Sequence, residues 1–338
     1  MRVLYPINFI ASVGADRWMG NGYKDAFEDL GHEVFWIQSS DPIESRIKET
    51  VPDIVFLAYE RLKLSDAPVL ENFRKRGGKV AVFVNSEFNE DSECFRVLKE
   101  HDVADLYRGE TEPEWMKEFE EKTGKSYFLT PNAAHERLHF PVAPVKKYQA
   151  DIVFLGANLP LKKELFEKLL FPLQKKYNVK LYGPGWTAKD DILRTAAYAA
   201  RKAGLAGLND RLSRLRITVP PQEENQLYSS AKICINLHEA RTGAGKNRVI
   251  LNERTFKIPA CGGFEICDFI TPESVLRKYF NEDEMVYARD AEDWFRKIDH
   301  YMGHDDERER IRKKGAERAL REHLYTNRIR LILEKLGY

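Results

Sequence analysis

Apolar positions in the first half of the chain fall into short compact runs at residues 3–5, 33–37, 53–58, 79–84 and 127–129. Between them lie stretches such as 22–30, where apolar residues recur at helical spacing. Strand-like runs alternating with amphipathic helices predict a parallel sheet with crossover helices. Asp29-Leu30-Gly31-His32-Glu33-Val34 shows how the alternation is made. Gly31 can close a helix in the left-handed conformation, so the next strand starts at once. Pro131, Pro141 and Pro144 then crowd a segment with little periodicity, which suits a connection and puts a boundary near residue 145.

The pattern restarts beyond it. A strand is predicted at 151–155, a turn at Gly156-Ala157-Asn158, and a helix over 162–173 with Leu165, Leu169, Leu170 and Leu173 on one face. Further strands are expected at 179–182, 233–237 and 264–267, with a helix over 253–261. The fold class that follows is α/β, with two Rossmann-like domains over 1–145 and 146–320 and a closing helix over 321–338. Residues 188–216 read as a helical excursion rich in Ala, Leu, Arg and Lys, either solvated beside the site or seated on anionic lipid or a partner as a peripheral membrane contact.

Composition narrows the classes. With 43% hydrophobic and 32% charged residues the chain can bury two proper cores, and its 338 residues suit two such units. The net charge of +1 leaves no bulk signature of a nucleic-acid binder. Cys94, Cys234, Cys261 and Cys267 show neither CxxC nor zinc spacing, so they read as reduced buried thiols and the cytoplasm as the compartment, with no metal expected. Polar residues interrupt the opening apolar run before a signal-peptide core can form, and no stretch approaches the roughly 20 apolar residues of a membrane span.

In an open parallel sheet ligands bind beyond the carboxyl ends of the strands. The loop over 10–22 carries Gly14, Asp16, Gly20 and Gly22 but lacks the G-x-G-x-x-G spacing of a dinucleotide site. The loops after the second-half strands are richer. One contains Gly156; another is Tyr182-Gly183-Pro184-Gly185-Trp186, where the indole either stacks on a planar ligand or closes the turn from the core. The densest run goes from Asn236-Leu237-His238-Glu239 through Gly243-Ala244-Gly245-Lys246-Asn247-Arg248 to Asn252-Glu253-Arg254-Thr255-Phe256-Lys257 and Gly262-Gly263. A glycine loop with two cations, leading to a helix N-terminus with Asn252 and Arg254, offers amides, a helix dipole and guanidinium to a diphosphate.

These residues carry a resemblance. The run from Tyr228 to Leu237, the stretch Asn252 to Phe256 continuing through Ala260-Cys261-Gly262-Gly263-Phe264, and the closing Glu322-His323-Leu324-Tyr325-Thr326-Asn327-Arg328 resemble, in order and spacing, the CgeB-like (spore-maturation-protein type) glycosyltransferases. The resemblance implies a GT-B fold, two Rossmann-like domains facing each other across a cleft. It implies a nucleoside-diphosphate-sugar donor in the second domain, with Gly156, Tyr182, Gly183, Trp186, Asn236, His238, Lys246, Arg248, Asn252, Glu253, Arg254, Lys257 and Gly262 as candidate donor contacts. The acceptor, a hydroxyl of a glycan or of a lipid- or protein-linked sugar, falls to the first domain, and no cofactor or metal is implied beyond the donor. Related glycosyltransferases carry glutamate, a ribose acceptor, where this chain has Lys257. Glu253 stands one turn earlier, spaced to pair with Lys257 on the surface or to take over part of the missing role.

The candidate base should face the cleft from the first domain. Glu87 follows the 79–84 strand, Asp16 lies in the first loop, and His135 follows the last strand. Two other readings remain: a nucleotide-sugar 2-epimerase on the same fold, and a non-catalytic nucleotide-sugar-binding subunit.

Overall fold

The computed structural model describes residues 1–6, 15–38, 40–84, 89–243 and 246–338, with side chains at all of these but 15–20, 115 and 239–250. The first six strands are β1 (Arg2–Pro6), β2 (Glu33–Ile37), β3 (Ile54–Ala58), β4 (Lys79–Phe83), β5 (Leu106–Gly109) and β6 (Tyr127–Leu129). They form one sheet in the order β2-β1-β3-β4-β5-β6, and every pairing is parallel. The sequence pattern does not show β5. Its central residue is Arg108, a poor strand signal, yet the side chain is buried over the rings of Tyr23 and Phe83 and donates to the Tyr23 hydroxyl at 3.1 Å and Thr130 Oγ1 at 3.0 Å.

The second half begins with β7 (Ala150–Leu155), β8 (Val179–Tyr182) and β9 (Ala231–Asn236). An antiparallel hairpin of β10 (Glu239–Gly243) and β11 (Lys246–Ile250) follows, then β12 (Glu265–Cys267) and β13 (Val286–Tyr287). The sheet order is β13-β12-β9-β7-β8, again all parallel. The hairpin corrects the expectation of a plain glycine loop at 243–248. The helix expected over 162–173 is also broken: it widens to a π-turn at Phe166–Leu170 and tightens at Phe171–Lys175. Pro172 explains this, because it lacks an N–H and its ring crowds the carbonyl of the preceding turn.

Each sheet is buried on both faces, which is what near-continuous Val, Ile, Leu and Phe runs require. The final helix, Tyr325–Leu336, lays Tyr325, Ile329, Ile332 and Leu333 against Val3, Tyr23, Phe27 and Phe56, so the chain ends on the first sheet. The backbone thus passes between the two halves twice, and the two passages are tied together. Ala134 N–H donates to His323 O at 2.8 Å, Tyr325 N–H to Ala134 O at 3.1 Å, and the Arg328 guanidinium to the carbonyls of Pro131 and Asn132. Between the halves, Glu112 meets Lys278 Nζ at 2.5 Å and the Tyr279 hydroxyl at 3.1 Å. The architecture is GT-B: two parallel-sheet Rossmann-like units joined by a doubled crossing. No described helix is long and apolar enough to cross a membrane.

Candidate functional site

Beyond the carboxyl ends of β7, β8 and β9 lies a cavity of about 400 Å³, lined among others by Gly156, Lys162, Gly183, Arg216, Arg254 and Lys257. Its floor comes from the turns after β7 and β8. Gly183 adopts φ +112°, and a Cβ there would land on the carbonyl of Gly156, so only glycine allows the two turns to touch. The turn is held from outside: Gly183 N–H donates to Thr218 Oγ1 and Gly185 N–H to Asp190 Oδ2, both at 2.6 Å. Asp190 also receives the Arg216 guanidinium at 2.8 Å.

Arg254 starts the Arg254–Ala260 helix and staples the site together. Nε donates to Asn236 Oδ1, Nη1 to Leu155 O and Nη2 to Leu237 O, each at 3.1 Å, with the guanidinium over the Phe154 ring. Three of its five N–H groups are thereby spent on the ends of β7 and β9, and the other two have no partner among the described residues. Lys162 reaches the same place from the other side, buried, with Nζ 3.0 Å from Leu237 O.

Lys257 is not in a surface pair with Glu253. It is buried, and its ammonium sits 2.7 Å from Glu224 Oε2. Glu224 begins the Glu224–Ser230 helix, and His139 Nε2 stands 3.5 Å from the same oxygen. Burial pushes the Glu224 carboxyl up, but Lys257 and His139 outweigh it and bring it down to about 2. Burial opposes the charge on Lys257, yet Glu224 and Glu253 more than offset this and raise its pKa. Burial lowers His139. Glu253 accepts the Tyr325 hydroxyl at 2.8 Å, and burial raises its carboxyl. Tyr325 in turn lies beside Gly22 and 4.9 Å from the Tyr23 ring, so one residue couples the cavity wall to the first sheet's helix.

Asn236 and His238 stand behind the floor rather than on this cavity. Asn236 is fully buried; its amide donates to Glu265 Oε1 at 2.8 Å and Thr255 Oγ1 at 3.1 Å, and its Oδ1 receives Asn252 Nδ2 at 2.9 Å. His238 is held through its backbone N–H and Nδ1 by Asp268, at 2.6 and 3.2 Å. It lines a smaller cavity of about 260 Å³ beside Lys162 and Phe269. In this dry knot burial pushes the Glu265 carboxyl up to about 8, so it is protonated at neutral pH. Asn252 lines the main cavity, and its Oδ1 is buried without a partner among the described residues.

Several other expected contacts are structural. Trp186 packs its ring against Phe154, Phe166 and Phe171 and donates Nε1–H to Gly156 O at 2.7 Å, which resolves its two readings in favour of a core residue. Tyr182 sets its ring edge-on to Tyr148, 5.9 Å away, and only its carbonyl reaches the turn, accepting from Gly156 N–H. Gly262 closes the Arg254–Ala260 helix at φ +68° beside Pro141. His135 is buried with Nε2 3.1 Å from Asp25 Oδ2, tying the crossing to the Ala15–Asp29 helix. Glu87 lies outside the described residues, and so do the side chains of Asp16, Lys246 and Arg248. The sequence pattern does not mark Lys162 or the 216–219 wall, and it offers Glu224 only as the start of a short helix leading into the densest run. Position after a strand could have flagged Lys162, but Lys163 beside it is an equal candidate until the helix phase is known. Away from these cavities, His300, His304 and Glu307 form an exposed group with ligand spacing, but the two imidazoles stack nearly parallel, 3.8 Å apart. In that arrangement their in-plane lone pairs do not converge on one ion.

A family model described as glycosyl transferase-like matches residues 162–334, the stretch that supplies the cavity lining from Lys162 to Lys257. The chain belongs to the glycosyl transferase-like family. No curated protein matches it in sequence. In fold, this glycosyl transferase-like protein is similar to sucrose-phosphate synthase from Thermosynechococcus elongatus, with TM-score 0.63 and 12% identity over 98% of this chain and 97% of that one. It is similar also to HepE of Anabaena in complex with UDP and glucose, with TM-score 0.62 and 10% identity over 100% and 99%. An alpha-glucosyltransferase in complex with UDP gives TM-score 0.62 and 14% identity over the full length of both chains.

Proposed function

We propose that the protein transfers a sugar from a nucleoside diphosphate sugar to a hydroxyl acceptor, as a CgeB-like member of its family. The observation that carries the reading is the convergence of Lys162, Arg254 and Lys257 on one cavity whose floor is glycine backbone. A volume of about 400 Å³ suits a nucleotide-sized ligand. The acceptor oxygen attacks the anomeric carbon, the bond to the diphosphate breaks with its electron pair leaving on the phosphate, and the hydroxyl proton passes to a base. Fixed cations stabilise the charge that develops on the departing diphosphate. The two N–H groups of Arg254 without a partner among the described residues and the buried Lys162 ammonium supply this, and the reading calls for no cofactor and no resident metal. Asn252 Oδ1, unpartnered beside the cavity, is an acceptor for a ligand hydroxyl. That structures of the same fold hold UDP supports uridine diphosphate as the first ligand to try. The acceptor is assigned to the first sheet's side of the cleft, with Glu87 and Asp16 as the remaining base candidates.

The experiment is incubation with a panel of nucleotide sugars, with and without simple glycan and lipid-linked acceptors, measuring nucleoside diphosphate release. Acceptor-dependent release is expected. Isomerised donor without acceptor would assign the epimerase reading instead, and neither turnover nor a nucleotide-induced thermal shift across the panel would overturn the proposal.

A further inference from the structure

The helical hairpin after β8, Ala188–Lys202 and Ala206–Arg214, is built inside out. Leu205, Leu208, Leu212 and Leu215 follow one another at three, four and three residues, the spacing of a single helix face. That face points to solvent: Leu205, Leu208 and Leu215 are 53%, 47% and 65% exposed. The buried positions of the same helix are the polar Asn209 and Ser213. The first helix adds Ile192 and Tyr198, 70% and 53% exposed. Apolar side chains on the surface are ordinary when scattered. A leucine stripe facing out while Asn and Ser face in is not.

The charge around the stripe says what covers it. Residues 188–216 hold seven Lys or Arg against three Asp, a net +4 on a chain whose total is +1. All three carboxylates are already engaged: Asp190 with Arg216, Asp191 with Arg194, and Asp210 with Arg214. Lys189, Arg201, Lys202 and Arg211 have no acidic partner among the described residues, and Arg201 and Lys202 lie over the Tyr198 ring. Long cationic side chains around an apolar helix face are the pattern of an interfacial helix, with stems along the acyl boundary and heads at phosphate. A second copy fits poorly, since two surfaces of net +4 repel.

We infer that this hairpin seats the protein on an anionic lipid surface, with the leucine stripe at the headgroup boundary. The inference is independent of the transfer reaction. It also has a geometric consequence, because the chain leaving the hairpin at Arg216 forms the wall of the donor cavity through Val219. A protein docked this way presents that cavity at the membrane.

The test is co-sedimentation of the full chain with vesicles of phosphatidylcholine alone and with 30% phosphatidylglycerol. The anionic vesicles should bind at least about tenfold more strongly, and 0.5 M NaCl should weaken that binding because the screening length falls to a few ångströms. Leu208→Ser with Leu215→Ser should lower partitioning at least about tenfold. Lys202→Glu with Arg211→Glu, far from any core position, should abolish the preference for anionic lipid. Equal binding to both vesicle types, or binding unchanged in both double variants, would overturn the inference. A dimer in sedimentation velocity that the leucine variant dissolves would overturn it too, by assigning the stripe to a second copy.

Discussion

Lys257 is buried against Glu224, and exchanging it for the glutamate that the resemblance leads one to expect should break this protein rather than improve it. Lys257→Glu removes the only lysine or arginine within 4 Å of Glu224 among the described residues, and adds a third carboxyl to a site already holding Glu224 and Glu253. Removing one partner of a buried ion pair costs about 3–5 kcal/mol. Keeping the new carboxyl neutral at pH 7 adds to that, at 1.36 kcal/mol for each unit its pKa must rise. The loss expected is on the order of 5 kcal/mol, the whole stability of many domains. Glu224→Lys alone should be comparably damaging. The double exchange, Lys257→Glu with Glu224→Lys, should recover most of the loss because it rebuilds the pair.

The pH dependence supplies a second signature. In the native protein Glu224 is depressed from 4.5 to about 2, so its contribution is present above pH 4.5 and lost as pH falls through about 2. In Lys257→Glu the clustered carboxyls are raised, so stability is present at low pH and lost as pH rises. Urea unfolding at pH 5 and pH 7 should therefore show the single variant gaining stability on acidification. A wild-type urea midpoint for Lys257→Glu at pH 7, or a double exchange no better than either single, would refute the pairing.

Glu265→Gln should flatten part of the pH profile. The raised carboxyl stabilises below pH 4.5 and loses that contribution as pH climbs to about 8, on the order of 5 kcal/mol at 1.36 kcal/mol per unit; denaturant midpoints with the same slope between pH 5 and 8 as wild type would contradict it. Arg254→Ala should lower the stability of the ligand-free protein by about 1–3 kcal/mol and weaken UDP binding about tenfold or more. Unchanged apo stability would dismiss the staple, and unchanged affinity by calorimetry would remove Arg254 from the proposed donor site. Gly183→Ala should cost at least about 2 kcal/mol, from positive φ and collision with Gly156, and should weaken nucleotide binding with it; a variant with wild-type thermal stability would show that the two turns do not touch as described.

The fold was legible because both sheets are parallel and buried on both faces, which forces compact apolar strands separated by helical periods. What escaped was local exception. β5 hides behind Arg108, whose burial depends on two rings and two hydroxyls from elsewhere in the chain. The broken helix after β7 was signalled by Pro172 but masked by four leucines in good phase. The β10–β11 hairpin was read as a loop because Gly243 and Gly245 advertise a turn while the polar strands beside them advertise nothing.

The site shows the same division more sharply. Position after a strand is a statement about backbone, and it put Gly156, Gly183 and Arg254 at the cavity. Charge is a statement about partners, and sequence spacing offers only the near ones. Glu253 lies four residues from Lys257 and was the natural partner on a helix surface. The actual partner is Glu224, brought over by the helix before β9, while Glu253 turns to Tyr325 from the end of the chain. A lysine facing water needs no particular carboxylate, whereas a buried one must have one. Lys257 is therefore half of a buried pair with Glu224 and not a lone surface lysine. A carboxylate thus faces the cavity all the same, since Glu224 lines it beside Lys257.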